Sequence, residues 1–279
     1  MKWIDALGEM RRTNTAFVVV TVLEVEGSAP REQQSKIVIT EDKIFDSIGG
    51  GNLEHQAMEK ARAMLTQDKA VTERQRYTLG QDLTQCCGGQ VELLYECFPA
   101  CTFNVVLCGA GHVGKALVRI LGEIPCRVMW VDSRPQMLRH AMEEVAAPAN
   151  VTPREVDCPY TVVEQSPAGS CYLVMTHSHE IDFEYCEAIL GRDDIGFCGL
   201  IGSRSKAMKF RHRLARKGFS EGELERLTSP VGLQLGAGKL PMEVAVSVAA
   251  QLMQVHSAKL AQGADTRAHL GLVADPGKQ

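Results

Sequence analysis

The sequence predicts an α/β protein in which a domain built on a parallel sheet follows a smaller α+β domain. After residue 103, β-branched apolar runs alternate with helical patterns, which is typical of a parallel sheet covered by helices. The length of 279 residues suits two domains. We predict a boundary near Pro99, with an N-terminal domain over 1–98, a sheet domain over 99–260 and a loose tail over 261–279.

Composition narrows the class of protein. Hydrophobic residues make up 45% and charged residues 23%, close to the globular average. A net charge of −4 argues against a broad nucleic-acid surface. No apolar run reaches the roughly 18 residues of a membrane span, and the acidic start does not resemble a secretory signal. We therefore expect a cytoplasmic protein with neither nucleic acid nor membrane as a partner.

The ten cysteines fit a reducing compartment better than a disulfide scaffold. Cysteines in or beside apolar runs are expected to pack as small apolar side chains. These are Cys108, Cys126, Cys171 and Cys198.

In the N-terminal domain, apolar spacing predicts helices and short strands separated by glycine-rich loops. The elements are a helix over 1–12, strands over 17–25, 36–40 and 44–48, a helix from the N-cap Asn52 to Leu65, and strands over 74–79 and 91–95.

In the second domain, four strands each precede a polar loop. The strands cover 103–108, 127–131, 171–175 and 198–201, and the helices 112–121, 181–190, 206–217 and 241–255. Because right-handed crossovers place the carboxyl ends of parallel strands at one edge, these loops are the candidates for a binding site.

The loop between the first strand and helix of this domain carries the pattern Gly-x-Gly-x-x-Gly. Gly109 permits the turn, Gly111 lets the backbone approach a pyrophosphate, and Gly114 allows close packing of helix on strand. The helix that starts at His112 offers free N–H groups to a phosphate. The sequence therefore predicts a Rossmann-like domain with these four residues among its ligand contacts.

Asp132 ends the next strand and suits a hydrogen bond from a ribose hydroxyl. Arg134 favours a 2′-phosphate that Asp132 would repel, so the pair leaves the choice of nucleotide open.

Further polar loops are not explained by a plain dehydrogenase. Gly49, Gly50 and Gly51 can line an anion or a flat ring with backbone amides, or form only a tight turn. Glu54 then either reaches the site or is a surface acid of the following helix. The vicinal thiols Cys86 and Cys87 suit a soft metal such as molybdenum or a persulfide, or are merely buried.

Two loops of the second domain carry histidines and hydroxyls. His177 and His179 follow a strand and could bind a metal or a phosphate, or be solvated beside a helix capped by Ser178. Ser203 follows the next strand and suits a second phosphate contact.

These loops together resemble the XdhC/CoxI family of xanthine dehydrogenase accessory proteins over about residues 10–256. The matching stretches are Gly27-Ser-Ala-Pro-Arg31, Ile48-Gly-Gly-Gly-Asn-Leu-Glu54, Gln85-Cys-Cys-Gly-Gly89, Gly109-Ala-Gly-His-Val-Gly114, Val131-Asp-Ser-Arg134, Thr176-His-Ser-His179 with Asp182, Gly199-Leu-Ile-Gly-Ser203 with Lys206, and Ser229-Pro-Val-Gly232. One departure is Gln34-Ser35, where the family has a pair of small residues, often Gly-Ala.

The resemblance implies a chaperone that binds molybdenum cofactor as cargo, supports its sulfuration by a cysteine desulfurase and passes it to the molybdenum subunit of a hydroxylase such as xanthine dehydrogenase. It thereby implies a maturation factor in purine catabolism rather than an enzyme. Our leading hypothesis places the phosphate at the helix N-terminus behind Gly109–Gly114 and the pterin along Gly49–Gly51 and the cleft between the domains. A thiol, Cys86 in preference to Cys87, would contact molybdenum or its terminal sulfur. We expect a homodimer.

Two other hypotheses stay open. The order strand, glycine loop, helix, strand and Asp132 also fits an NAD(P)-dependent oxidoreductase that uses His177 as acid or base. The vicinal Cys86 and Cys87 also fit a redox or metal sensor, although adjacent cysteines form only a strained disulfide.

Overall fold

A computed structural model describes residues 1–67, 69–80, 88–156, 158–234 and 238–271, with the backbone alone for 262–271. The chain forms two compact units, Met1–Cys101 and Thr102–Gln279.

The N-terminal unit is an antiparallel sheet with helices. Its elements are α1 (Trp3–Thr13), β1 (Phe17–Glu26), β2 (Lys36–Ile39), β3 (Ile44–Asp46), α2 (Gly51–Leu65), β4 (Val71–Thr78) and β5 (Gln90–Phe98). Across the described residues its strands lie in the order β3-β2-β1-β5-β4.

The strand β1 is the centre of this sheet, and both of its faces are covered. Val18 and Val20 pack in one cluster with α2, whereas Val19 packs in another with Ala6 of α1. Alternate residues of a strand point to opposite faces, so helices on both sides demand the continuous apolar run that the sequence shows.

The prediction of Asn52 as the N-cap of α2 was wrong. The helix begins at Gly51, and Gly50 is the N-cap. Gly49, Gly50 and Gly51 have φ values of +123°, +73° and +65°, which side-chain-bearing residues rarely adopt. The three glycines therefore form the turn into the helix, and Asn52 lies in its first turn.

Gln34 occupies a backbone conformation that suits glycine, with φ of +69°. The left-handed region costs a residue with a Cβ about 1 kcal/mol. We expect Gln34→Gly to raise the free energy of unfolding by about 0.5 kcal/mol in urea denaturation, because release of the strain exceeds the entropy that glycine loses on folding. The matched change Gln33→Gly, where φ is not positive, should lower it by about 0.5–1 kcal/mol. A loss of stability in Gln34→Gly would contradict this conformation.

The C-terminal unit is built on a parallel sheet flanked by helices. Its elements are β6 (Asn104–Cys108), α3 (His112–Leu121), β7 (Arg127–Asp132), α4 (Pro135–Glu144), β8 (Val151–Glu155), α5 (Pro159–Glu164), β9 (Cys171–Val174), α6 (His179–Leu190), β10 (Phe197–Leu200), α7 (Arg204–Arg216), α8 (Glu221–Glu225), β11 (Leu227–Thr228) and α9 (Pro241–Gly271).

In the described part of this unit, the strands follow the order β11-β10-β9-β6-β7-β8 and all pair in parallel. The predicted fold class is confirmed. The strand order reverses between β6 and β9, and ligands of open α/β sheets bind at the carboxyl edge beside such a reversal. The loops after β6, β7, β9 and β10 therefore belong to the edge where a site is expected.

Several elements of this unit escaped the sequence analysis. The strand β8 contains Pro153 and is mostly exposed, which only an edge strand tolerates. The helix α5 is six residues long, too short for a periodic pattern to be visible. The helix α9 continues to Gly271, well past the predicted end at residue 255.

The cysteines that were predicted to pack in apolar surroundings do so. Cys108, Cys126, Cys171 and Cys198 are all buried. Among the described helices, none combines the length and apolarity needed to cross a membrane.

Candidate functional site

Two of the three glycines after β6 are required by packing. A Cβ at Gly109, whose φ is +126°, would lie 2.3 Å from the carbonyl oxygen of Met175. A Cβ at Gly114 would lie 2.3 Å from the carbonyl oxygen of Gly109. Gly111 differs, because its φ is −76° and no atom lies within 4 Å of a Cβ built on it. The space beside Gly111 is thus open for a ligand.

The N-terminus of α3 has no side-chain cap. Two other helices at this edge are capped, since Ser178 accepts from the backbone N–H of Glu180 at the start of α6 and Ser203 accepts from that of Lys206 in α7. The N–H groups of an uncapped first turn carry partial positive charge and bind anions. Exposed His112 is the first residue of α3. The start of α3 is therefore the better anion site of the three.

Asp132 is 4% exposed, and its carboxylate holds the loop after β7 in place by hydrogen bonds. Its Oδ1 accepts from the backbone N–H and the Nε of Arg134, at 3.0 and 2.9 Å. Its Oδ2 accepts from Nη2 of Arg134 at 2.9 Å and from the N–H of Ala110 at 2.7 Å. These four hydrogen bonds fill the acceptor positions of the carboxylate. The contact with a ribose hydroxyl that we predict for Asp132 would require a ligand to displace Arg134.

The pKa of Asp132 lies below its ordinary value. Burial raises it, but hydrogen bonds from Arg134 and Ala110 to the ionised form outweigh that effect. A carboxyl with a depressed folded-state pKa contributes stability that is present above its unfolded pKa of about 3.9 and is lost as pH falls through the folded value.

We expect Asp132→Asn to lower the free energy of unfolding by about 2 kcal/mol at pH 7, because charge-assisted bonds to Arg134 are lost. The difference from wild type should shrink as the pH falls below about 3.9. Urea denaturation at a series of pH values measures it, with Asp194→Asn, which removes the more exposed pair with Arg192, as the control that changes less. A difference that stays constant down to the lowest pH would contradict this role.

The loop after β9 is held by hydroxyl groups. The Oγ1 of Thr176 donates to the carbonyl oxygen of Ser178 at 2.9 Å and accepts from the N–H of the same residue. His177 and His179 are exposed on this loop. The residues that the structure describes contain no group of three His, Cys, Asp or Glu side chains able to hold a metal ion. The metal and phosphate roles of His177 and His179 both stay predictions.

Asp182 and Lys206, which the sequence analysis names only as parts of two separate motifs, form a buried ion pair that joins the loops after β9 and β10. Oδ2 of Asp182 lies 2.5 Å from Nζ of Lys206, and its Oδ1 accepts from the N–H of Thr176 at 2.8 Å. Nζ of Lys206 also donates to the carbonyl oxygen of Ile201. A Cβ at Gly202 would lie 2.6 Å from Cδ of Lys206, so a glycine is needed where the lysine chain passes.

The sequence indicates this ion pair only weakly. Asp182 and Lys206 have opposite charges, and each follows a loop at the carboxyl edge. Two loops at one sheet edge bring such charges together when their strands are neighbours, as β9 and β10 are. The spacing alone did not distinguish this pair from surface charges.

In the N-terminal unit, Glu54 folds back into the triple-glycine loop. Its Oε2 accepts from Oγ of Ser47 at 2.6 Å and from the N–H groups of Ile48 and Gly50 at 3.1 Å each. Two of the amides that we expected to line a ligand are thus bound within the loop, because that of Gly50 donates to Glu54 and that of Gly49 donates to Oγ of Ser47 at 3.0 Å. Glu54 stabilises the loop in this structure, and the ligand role of Gly49–Gly51 stays a prediction.

The thiols Cys86 and Cys87 lie outside the described residues. Of the two glycines that follow them, the second is packed tightly, because a Cβ at Gly89 would lie 2.5 Å from the carbonyl oxygens of Glu26 and Ser28. Two of the stretches that carry the family resemblance, around Gly27 and Gly89, therefore meet in the N-terminal unit.

Comparison with protein families gives two matches. The model of the XdhC Rossmann domain matches residues 105–252, and the model of the XdhC and CoxI family matches residues 10–78.

Individual relatives are more distant. The uncharacterized Escherichia coli (strain K12) protein YqeB is 26% identical over 253 residues, which make up 88% of this chain and 45% of that protein. The chain therefore spans less than half the length of this curated relative.

Comparison with solved structures gives partial matches, among them the following two. A Bacillus halodurans protein described as a xanthine dehydrogenase is 19% identical, with 92% of this chain and 96% of that chain covered and a TM-score of 0.48. Malate dehydrogenase from Cryptosporidium parvum is 13% identical, with 40% and 42% covered and a TM-score of 0.27.

Proposed function

Since the chain belongs to the XdhC and CoxI family, we propose that it binds molybdenum cofactor as cargo, supports its sulfuration and passes it to a molybdenum hydroxylase such as xanthine dehydrogenase. The observation that carries the proposal is the family match, which includes residues of both units. The proposed partners are the molybdenum subunit of the hydroxylase and a cysteine desulfurase.

The C-terminal unit offers a place for the phosphate of the cargo. The first turn of α3 has N–H groups without a side-chain cap, and Gly111 leaves open space in front of them. A phosphate there would gain hydrogen bonds from backbone groups that folding has already positioned. His177 and His179 are exposed and able to donate to the same class of anion.

A chaperone must also release what it binds, and backbone contacts suit that requirement. The phosphate would be held by dipoles and hydrogen bonds rather than by a covalent bond or a ring of buried charges. We propose that a thiol, Cys86 with Cys87 as the alternative, contacts molybdenum or its terminal sulfur, and this role rests on the family resemblance.

Transfer of active cofactor tests the proposal. The protein, loaded anaerobically with molybdenum cofactor, is incubated with a cysteine desulfurase and cysteine, and then with xanthine dehydrogenase that lacks the cofactor. We expect xanthine oxidation to appear with wild type and to be lost with Cys86→Ala. Failure of the wild-type protein to activate the enzyme would contradict the proposed function.

Cys158 provides the matched control thiol. It is exposed, and hydrogen bonds from Thr161 and Tyr160 lower its pKa, which favours the thiolate form. We expect Cys158→Ala to transfer cofactor like wild type. If Cys86→Ala still delivers active enzyme, or if only Cys158→Ala fails, the role assigned to Cys86 is wrong.

A further inference from the structure

Helix α7 concentrates positive charge, although the chain as a whole is acidic. The helix Arg204–Arg216 contains six Lys or Arg side chains and no Asp or Glu, whereas the full sequence has 30 Lys and Arg against 34 Asp and Glu. Like charges three or four residues apart destabilise a helix. Arg204 is also the first residue of α7, where the helix dipole disfavours a cation. The charge of α7 therefore opposes the helix unless other groups compensate it.

The two flanks of α7 have their partners within the C-terminal unit. On one flank, three cations pair with acids of α6, and the pairs are Lys206 with Asp182, Arg213 with Glu180, and Lys217 with Glu187. The guanidinium of Arg213 also lies 3.8 Å from the ring centroid of Phe183. On the other flank, Nη2 of Arg211 donates to the carbonyl oxygen of Leu227 at 2.9 Å. These contacts fix which side of the helix points outward.

The outward side of α7 carries charges that the described part of the chain does not compensate. We call this side the basic face, and it consists of Arg204, Met208, Lys209, His212 and Arg216. All five are exposed, and their spacing places them along one side of the helix. Among the residues that the structure describes, none of the four polar side chains has a hydrogen-bond or ion-pair partner.

The composition of the basic face fits a protein partner better than a polyanion such as nucleic acid. Met208 is 61% exposed within the face. Methionine and arginine are both enriched in protein interfaces, where the methionine buries its apolar surface. A phosphate backbone would leave Met208 in water, and the net charge of −4 opposes a long polyanion. From Arg204 to Arg216 the face is about 18 Å long, which suits an acidic patch or about three turns of an acidic helix.

The basic face begins at the edge of the sheet where the cargo phosphate is proposed to bind. Ser203, the N-cap of α7, lies in the loop after β10, and α3 follows β6 at the same carboxyl edge. Only β9 lies between β10 and β6, so these two strands are about 10 Å apart. A partner bound to the basic face is therefore close to the edge from which the cargo would leave.

We propose that the basic face docks an acidic surface of the enzyme that receives the cargo. Lys209 and Arg216 pair with carboxylates of that enzyme, and Met208 packs between them. The inference rests on the proposed function, because it names the surface of this chain to which the molybdenum hydroxylase binds. Exposed charges at an interface act mainly on the rate of association, so the docking depends on salt.

Binding to xanthine dehydrogenase that lacks the cofactor tests the basic face directly. Biolayer interferometry with the full chain measures the affinity without requiring cargo. We expect Lys209→Glu combined with Arg216→Glu to weaken binding at least about tenfold at about 50 mM NaCl. The difference from wild type should shrink to within about twofold at about 500 mM NaCl, because salt screens exposed charges. The same variant should load molybdenum and pterin like wild type, which shows that it is folded.

Two control variants separate the basic face from net charge. Arg11→Glu combined with Arg12→Glu makes the same change of charge at exposed arginines in the last turn of α1, and it should bind like wild type. Lys209→Arg combined with Arg216→Lys keeps the charge of the face and should bind within about threefold of wild type. Equal losses in the variants of α1 and α7 would overturn the inference, because net charge alone would then explain them.

Two other occupants of the basic face are checked with the same variant. If wild type is a dimer in analytical ultracentrifugation and charge reversal of Lys209 and Arg216 dissociates it, the occupant is a second copy of this chain. If wild type binds vesicles of phosphatidylcholine and phosphatidylglycerol and the variant does not, the occupant is a lipid surface. Either result would overturn the inference.

The inference and the proposed function fail separately. If wild type activates xanthine dehydrogenase but charge reversal leaves binding unchanged, the function stands and the basic face is not the docking surface. If wild type binds the enzyme through the basic face but does not activate it, the docking surface stands and the proposed function is contradicted.

Discussion

Lys206→Met should lower the free energy of unfolding by about 3 kcal/mol at pH 7, because it leaves the carboxylate of Asp182 buried without its counter-ion. The side chain of Asp182 is 1% exposed and that of Lys206 is 10% exposed, so water cannot replace the lost partner. The N–H of Thr176 would remain as a donor to Asp182. Urea denaturation followed by circular dichroism measures the change.

A double variant measures how much of this loss of stability comes from leaving one charge without its partner. Removing both charges with Asp182→Asn and Lys206→Met should cost less than the sum of the single changes, since neither charge is left alone. Lys217→Met is the matched control, because it breaks a more exposed pair with Glu187 that we expect to contribute less than about 1 kcal/mol. If Lys206→Met costs no more than Lys217→Met, the pair does not hold the two edge loops together.

Gly111→Val should abolish binding of the cargo while the protein still folds. A Cβ at Gly111 meets no atom within 4 Å, and its φ of −76° suits any residue, so the valine fits the ligand-free protein. The new side chain would fill the space through which a phosphate reaches the first turn of α3. We expect the affinity to fall about a hundredfold or more. The phosphate would lose its hydrogen bonds to the backbone N–H groups of α3, and these contribute roughly a few kcal/mol to binding.

Three other glycine variants make this result interpretable. Gly222 also has no atom near a Cβ, but it lies in α8 away from the glycine loop, so Gly222→Val should leave cargo binding unchanged. Gly109→Val and Gly114→Val should fail to fold, because a Cβ at either position lies 2.3 Å from a carbonyl oxygen. Cofactor loading, followed by pterin fluorescence, and circular dichroism measure the two effects. Wild-type loading by Gly111→Val would show that the phosphate does not approach α3.

The parts of the fold that local patterns specify were predictable. A few neighbouring residues determine an apolar β-branched strand such as β1. The same holds for the glycine loop between β6 and α3. The family resemblance stated from the motifs is confirmed by the family match. Strand β8 was missed because an exposed edge strand with Pro153 has neither apolar alternation nor a buried run.

The site was less predictable. Some of its contacts join residues that are distant in sequence, and some of its residues bind the protein itself where we expected them to bind a ligand. The charge of Asp132 suggested a free ligand contact, but Arg134 fills it, and only the structure shows that geometry. Glu54 similarly binds its own loop. The pairing of Asp182 with Lys206 depends on the neighbouring positions of β9 and β10, which no short motif encodes.

Anaerobic gel filtration with isolated molybdenum cofactor, with molybdenum and pterin quantified in the protein peak and NAD(P)H run in parallel, tests the central claim most directly. The proposed function predicts that molybdenum and pterin elute with the protein in equal amounts, that Gly111→Val loses both, and that NAD(P)H is not retained. Retention of NAD(P)H without molybdenum or pterin would contradict the proposed function and favour an NAD(P)-dependent oxidoreductase.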